Sequence, residues 1–269
     1  MKKILTILML FTTAFTLMAS GNKEESKMDK LVVAMELQYP PFEMSDESGN
    51  PAGISVDIAK ALGEYLGKDV VIENIAWTGL IPSLQTNKAD IIISSMSITE
   101  QRAEVVDFSD PYISSGLSLL ISKDSDVQSF KDLDREGVVV AVKSGTIGAT
   151  LAQTQLTKAE IRLFDEVSAC VLEVSQGKSD AFIYDVLTVY ENNQRNLETT
   201  RMNVEPIPGS EGYWGMAVKK GNTELLEGVN NFIAEYQDNG GFDSLGDKYL
   251  GYIKSLFDES GIPFFFDIN

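Results

Sequence analysis

The 269-residue sequence contains no histidine and a single cysteine. The first absence removes Ser-His-Asp and Cys-His nucleophile pairs and every histidine-based metal site. The second excludes an intrachain disulfide. Positive charge is also scarce. Only 22 Lys and Arg stand against 40 Asp and Glu, giving a net charge of −18. A field of that sign repels nucleic acid and anionic lipid headgroups, so nucleic acid is not expected as a partner. Solubility accounts for the charge without an acidic-tail function. The lone thiol, Cys170, lies in the apolar-spaced run Val167, Cys170, Val171, Val174, which predicts a buried helical thiol and not a reactive one. No catalytic residue, metal site or cofactor is expected.

What is present suffices for a globular protein of one or two lobes: 43% of residues are hydrophobic, enough for a sizeable core. The first residues stand apart from it. Lys2 and Lys3 precede the apolar stretch Ile4 to Ala19, and the small residues Ala19, Ser20 and Gly21 follow. This predicts a secretory signal peptide over residues 1–20 and an exported protein, in the periplasm or on the outer face of the cytoplasmic membrane. Leu17-Met18-Ala19 resembles the start of a lipoprotein signal, but Ser20 stands where the acylated cysteine would be. Residues 21–28 are polar and charged and read as a flexible tether.

From Leu31 the pattern alternates. Leu31 to Met35 is a buried strand, Ile54 to Leu66 a helix, Val70 to Ile75 a strand, Leu80 to Leu84 a short helix and Ile91 to Ile93 a strand. Thr99 to Arg102 reads as a capped helical turn. The series then restarts with strands at Leu117 to Ile121 and Val138 to Val142, the turn Ser144-Gly145-Thr146, and a helix from about Ala149. A strand at Ala181 to Tyr184 ends on Asp185 and leads into another helix. A strand at Trp214 to Lys219 and an amphipathic helix at Leu225 to Tyr236 follow. Alternating elements of this kind predict an α/β protein with mainly parallel sheets flanked by helices. Two such units in series place a ligand cleft at the carboxyl ends of the strands, between lobes.

Several segments, in order, carry a family resemblance. They are Tyr39-Pro40-Pro41-Phe42, Gly53 to Asp57, Trp77 to Leu84, Ser94 to Arg102, Asp107 to Tyr112, Ser144-Gly145-Thr146, Asp180 to Asp185 and Gly215 to Gly221. Together they resemble the extracytoplasmic polar-amino-acid binding proteins of ABC importers. The resemblance implies a two-lobed periplasmic-binding-protein-like fold whose lobes are joined by a two-strand hinge. It places lobe 1 at residues 29–114 plus 212–256, lobe 2 at 115–211 and a C-terminal tail at 257–269. The partners it implies are a free amino acid and the membrane permease subunits of an importer, with the protein itself a monomer. Two other readings belong to the same fold: a dehydratase acting on a prephenate-like acid, with Glu36 or Glu211 as its acid, and a sensory ligand-binding lobe.

A free amino acid is a zwitterion, so a buried site needs one cationic and one anionic partner. Arg102 suits the carboxylate because a guanidinium offers two parallel hydrogen bonds. Ser95 and Ser97 precede it at the end of a strand. Thr146 and the backbone amide of Ile147 open a helix whose N-terminus favours the same anion. Asp185 suits the ammonium. The resemblance gives these roles to Ser95, Ser97, Arg102 and Asp185. It also places Tyr39 and Trp77 on either side of the ligand side chain, and Glu36 where relatives selective for basic amino acids carry an acid, so a cationic or polar amino acid is expected, with arginine or lysine favoured. Many relatives have a second hydroxyl after the threonine, where this chain has Ile147. Each signal has a plainer meaning alone: Arg102 as a surface helix residue, Asp185 as a helix cap, Tyr39 and Trp77 as core aromatics, Glu36 as a solvated strand-end carboxylate. The Phe264-Phe265-Phe266 run lies beyond the resemblance and either packs on lobe 1 or frays.

Overall fold

A computed structural model describes residues 29–205, 207–261 and 264–267. The expected signal peptide and tether, residues 1–28, lie outside them. Among the described residues no helix is long and apolar enough to cross a membrane.

The chain forms two lobes, each around a five-stranded sheet. In the first, the strands run in the order Asp69–Asn74, Lys30–Met35, Ile91–Ile92, Ala217–Lys219, Val106–Phe108. In the second the order is Glu160–Phe164, Val139–Lys143, Ala181–Asp185, Leu117–Ser122, Thr200–Asn203. The first three strands of each sheet pair in parallel, and the last two join antiparallel. Both sheets are therefore mainly parallel, as expected, but mixed: one strand in each, Ala217–Lys219 and Leu117–Ser122, runs against the other four. The reason is the chain's double crossing. Strand Leu117–Ser122 enters the second sheet from the first lobe, and Ala217–Lys219 returns to the first sheet from the second. The crossings themselves, Ile113–Ser115 and Gly212–Trp214, pair antiparallel between the lobes.

Local chemistry explains the elements. Helix Ile54–Leu66 buries Ile54, Ile58, Ala59 and Leu62 on one side and ends on Gly67 in the left-handed conformation. Gly53 before it sits at φ +116°, where a Cβ would lie 2.4 Å from the Phe42 carbonyl oxygen; only glycine fits there. The continuous strand expected at Trp214 to Lys219 is broken at Gly215 and Met216, because the chain there leaves the crossing pair for the first sheet. The helix expected from Ala149 starts earlier, at Ile147, with Thr146 as its cap. Cys170 is buried in helix Val167–Ser175, and burial pushes its thiol up to about 12.

The core of the first lobe runs on into the C-terminal segment. Phe257, Phe265 and Phe266 are buried in the same cluster as Phe42, Trp214 and Phe242. The aromatic tail therefore packs.

Candidate functional site

The carboxyl ends of the strands face each other across the cleft, as the parallel portions of the sheets require. Between them is a cavity of about 60 Å³ lined from both lobes. Glu36, Tyr39, Trp77, Ser95, Ser97, Arg102, Thr146, Ile147 and Asp185 all lie on its wall. The structure thus brings together all nine residues expected around the ligand.

Arg102 sits on the short helix Glu100–Ala103, capped by the Thr99 hydroxyl, which accepts from the Arg102 amide at 3.2 Å. The guanidinium Nη1 donates to the Ser97 carbonyl at 2.7 Å, and Nη2 donates across the cleft to the Gly145 carbonyl at 3.1 Å. Both acceptors are neutral. Among the described residues no carboxylate lies within ion-pair distance of Arg102. Desolvation lowers its pKa to about 10, the mark of a cation held without a counterion. Ser95, nearby, has a φ of +48°, an uncommon conformation for a non-glycine residue and one found at ligand-binding turns.

Asp185 ends strand Ala181–Asp185 and caps helix Val186–Arg195. Its Oδ1 accepts from the Thr188 amide at 2.9 Å. Its Oδ2 is buried and, among the described residues, has no hydrogen-bond partner of good geometry. Burial raises the pKa of this carboxyl, partly offset by Thr188. The cap and the site residue are the same group, one oxygen serving each purpose. The Tyr39 hydroxyl is buried beside it and, among the described residues, makes no hydrogen bond of good geometry; burial, then the Asp185 charge, push its pKa well up, and the hydroxyl is near enough to Asp185 to lower that carboxyl's in return.

A second set of charges at this cavity is matched. Glu36, 6% exposed, forms an ion pair with Lys143, 2% exposed, at the end of strand Val139–Lys143 in the opposite lobe. The second Glu36 oxygen accepts from the Trp77 amide at 3.0 Å. Glu36 is accordingly not a solvated strand-end group. Trp77 carries Arg102 at 5.2 Å and Lys143 at 5.9 Å from its ring centre, so the cations over this ring belong to the chain itself. Its indole also meets Gly145 of the second lobe, where φ is +72° and a Cβ would approach Nε1 to 3.3 Å.

Thr146 donates to the Lys143 carbonyl at 2.8 Å and accepts from the Ala149 amide at 3.2 Å, so its hydroxyl is engaged in capping. Ile147 opens the helix Ile147–Gln155, and its amide has no acceptor within that helix.

Lys143 and Glu43 are the residues that sequence reasoning missed. Glu43 is 1% exposed and lines the cavity. Its Oε2 accepts from Ser55 Oγ at 2.6 Å and Ser95 Oγ at 3.1 Å, and its Oε1 from Ser94 Oγ at 3.4 Å. Ser94 Oγ in turn accepts from the Glu36 amide at 3.0 Å. Burial raises the Glu43 pKa to about 8 against the pull of the three serines, so it is mostly protonated at neutral pH. The available signals were a charge ending an apolar strand, at Lys143, and an acid directly after the Tyr39-Pro40-Pro41-Phe42 turn, at Glu43. Glu211, the other acid weighed for catalysis, lies on a separate cavity behind the crossing strands and accepts from the Gly209 amide at 3.0 Å. Among the described residues no cluster of acids and thiols can hold a metal ion.

Comparison with known proteins gives the same frame. The family model for bacterial extracellular solute-binding proteins, family 3, matches residues 31–252. The arginine-binding extracellular protein ArtP of Bacillus subtilis (strain 168) is 30% identical, over 93% of this chain and 98% of its own. The ABC transporter glutamine-binding protein GlnH of the same organism is 29% identical, over 93% of this chain and 98% of its own. The crystal structure of the ancestral amino acid-binding protein AncCDT-1, a precursor of cyclohexadienyl dehydratase, superposes with a TM-score of 0.74. It is 36% identical and covers 82% of this chain and 94% of its own.

Proposed function

Because the chain belongs to the bacterial extracellular solute-binding proteins, family 3, we propose that its cleft captures a free amino acid outside the cytoplasm and that the loaded, closed form delivers it to the permease of an ABC importer. One observation carries the reading. An unpaired cation, Arg102, and a carboxylate oxygen without a partner, Asp185 Oδ2, line one small cavity between two lobes. An α-amino acid supplies the missing charge to each. Its carboxylate takes the free positions of Arg102, with the Ser95 and Ser97 turn and the Ile147 amide around it. Its ammonium takes Asp185 Oδ2. The names of ArtP and GlnH place related chains in amino-acid binding, and that of GlnH in ABC transport.

The matched charges support a polar ligand and sharpen which kind. The resemblance had made Glu36 the partner of a ligand cation. Here Lys143 already holds that carboxylate. A ligand ammonium or guanidinium would have to displace a buried lysine, whereas a neutral group with both a donor and an acceptor can join the pair. The geometry therefore favours a carboxamide side chain over a cationic one. Calorimetric titration with glutamine, asparagine, arginine, lysine, glutamate and leucine tests this. A carboxamide amino acid is expected to bind most tightly. If arginine or lysine binds most tightly, the side-chain assignment is wrong while the amino-acid reading stands.

Capture without catalysis is part of the proposal. Of the carboxyls on the cavity wall, burial raises both Asp185 and Glu43, and Glu43, at about 8, reaches the range a general acid needs. Both its oxygens accept from serine hydroxyls, which ties it to the wall and away from a ligand. Incubation with prephenate is expected to leave it unchanged; release of phenylpyruvate would identify a dehydratase instead.

A further inference from the structure

The Phe264–Phe266 run lies outside the matched family region, which ends at residue 252, yet it is tied to the part of the molecule that must move. The Ser114 amide, on crossing strand Ile113–Ser115, donates to the Phe265 carbonyl at 2.7 Å. The Phe265 ring, 3% exposed, lies 5.2 Å from Phe42 and 6.3 Å from Trp214 between centres. Trp214 belongs to the other crossing strand, Gly212–Trp214. Phe42 and Trp214 in turn pack on Tyr39, at 5.2 Å and 5.9 Å. Tyr39 and Trp214 both line the ligand cavity. A continuous set of rings thus runs from the C-terminal segment, past the Gly212–Trp214 crossing, to the ligand wall, and the Ser114 hydrogen bond ties the other crossing to the same segment. The adjoining Tyr252 hydroxyl donates to Glu191 of the second lobe, so this end of the chain lies across both lobes.

Phe266 offers an internal contrast. It is buried to the same degree, 4% exposed, but packs 5.5 Å from Phe242 and against Gly246 on helix Gly241–Leu250. Phe242 in turn stacks on Tyr112, beside crossing strand Ile113–Ser115, at 6.0 Å, so Phe266 reaches a crossing only through a second ring, whereas Phe265 meets both crossings directly.

We propose that Phe265 is a positioning residue for ligand capture. Its carbonyl fixes the crossing strand Ile113–Ser115, and its ring buttresses the Phe42, Trp214 and Tyr39 wall. Amino-acid affinity therefore depends on a segment that lies outside both the ligand-cavity wall and the matched family region. Interlobe geometry and the ligand wall are set by the same buried contacts, so loosening them lowers the fraction of molecules competent to bind. The inference rests on the amino-acid reading above.

The test compares Phe265→Ala with Phe266→Ala in the full chain, by three measurements: melting temperature, titration with L-glutamine and L-arginine, and hydrogen–deuterium exchange over residues 112–116 without ligand. Both variants are expected to melt earlier by similar amounts, since each loses one buried ring. Only Phe265→Ala is expected to weaken binding, by about tenfold, with faster ligand release and faster exchange at the crossing strand. Phe265→Leu, which keeps apolar bulk, is expected to recover most of the affinity, and it replaces Phe265→Ala in the comparison if the latter does not fold. Equal loss of affinity in the two alanine variants, or unchanged exchange at residues 112–116 in the Phe265 variant, overturns the proposal. If the unaltered protein binds neither amino acid, the functional reading fails, and the exchange comparison still decides whether Phe265 positions the crossing strand.

Discussion

Two sets of charges at the ligand cavity are handled in opposite ways. In one, Arg102 and Asp185 each keep an unmet charge, although both are drawn out of water. In the other, Glu36 and Lys143 neutralise each other across the lobes. A buried charge without a partner costs several kcal/mol unless something supplies one. An unmatched pair of opposite sign therefore describes the ligand's head, a zwitterion. A matched pair describes what the ligand's side chain need not bring, a charge of its own. The difference separates recognition of the amino-acid class from selection within it.

Four substitutions break or sharpen this contrast. The largest effect is expected from Arg102→Ala. Calorimetry is expected to give at least a hundredfold weaker binding with the fold intact, since removing one member of a buried charge pair costs about 3–5 kcal/mol. Binding within a few-fold of the unaltered protein would remove Arg102 from the head clamp. Asp185→Asn comes next. The amide keeps the shape and the Thr188 cap but loses the charge that meets the ammonium. A tens-of-fold loss is expected, about 2 kcal/mol, together with reduced preference for the amino acid over its deaminated analogue. An unchanged preference would show that the ammonium lies elsewhere.

Lys143→Met addresses the matched pair. It frees the Glu36 carboxylate without removing it, so affinity for lysine or arginine is expected to rise relative to glutamine by about tenfold. The same rank order of ligands before and after would mean that the pair does not select the side chain. The smallest effect on affinity is expected from Glu43→Gln, below about threefold near pH 7, because the carboxyl is already mostly protonated there. Its signature is in stability against pH. Glu43 has its pKa raised from 4.5 to about 8 in the folded chain. Its contribution is thus fully present below about pH 4.5 and is lost as pH rises towards 8, since only the unfolded state gives up the proton. Relative to Glu43→Gln, the unaltered protein is expected to lose up to about 1.4 kcal/mol per pH unit across that window. Parallel melting curves from pH 5 to 8 would contradict the assignment.

Much of this was legible in the sequence. Apolar runs with β-branched residues marked the strands at Lys30–Met35, Leu117–Ser122 and Ala181–Asp185. The helical spacing of Ile54, Ile58 and Leu62 marked the helix behind the first sheet. Charges and hydroxyls at the ends of such strands pointed to the cavity wall. What escaped was of two kinds. Strands Glu160–Phe164 and Thr200–Asn203 lie at sheet edges and are only half-buried, so their residues lack the apolar signal of a central strand. Pairings across the cleft depend on how two distant segments meet: Lys143 and Glu36 are 107 positions apart, and nothing local in either segment announces the other. Glu43 was missed because burial of a carboxyl is a tertiary fact. Its three serine partners come from two separate parts of the chain.

The central claim is that two unmet charges in one cavity await a zwitterion. The most direct measurement is calorimetric titration of the unaltered protein with its best amino acid, with the deaminated acid and with the decarboxylated amine of the same side chain. The account predicts tight binding of the amino acid alone and losses of at least a hundredfold for each analogue. An analogue lacking either charged group but binding as tightly as the amino acid would contradict it.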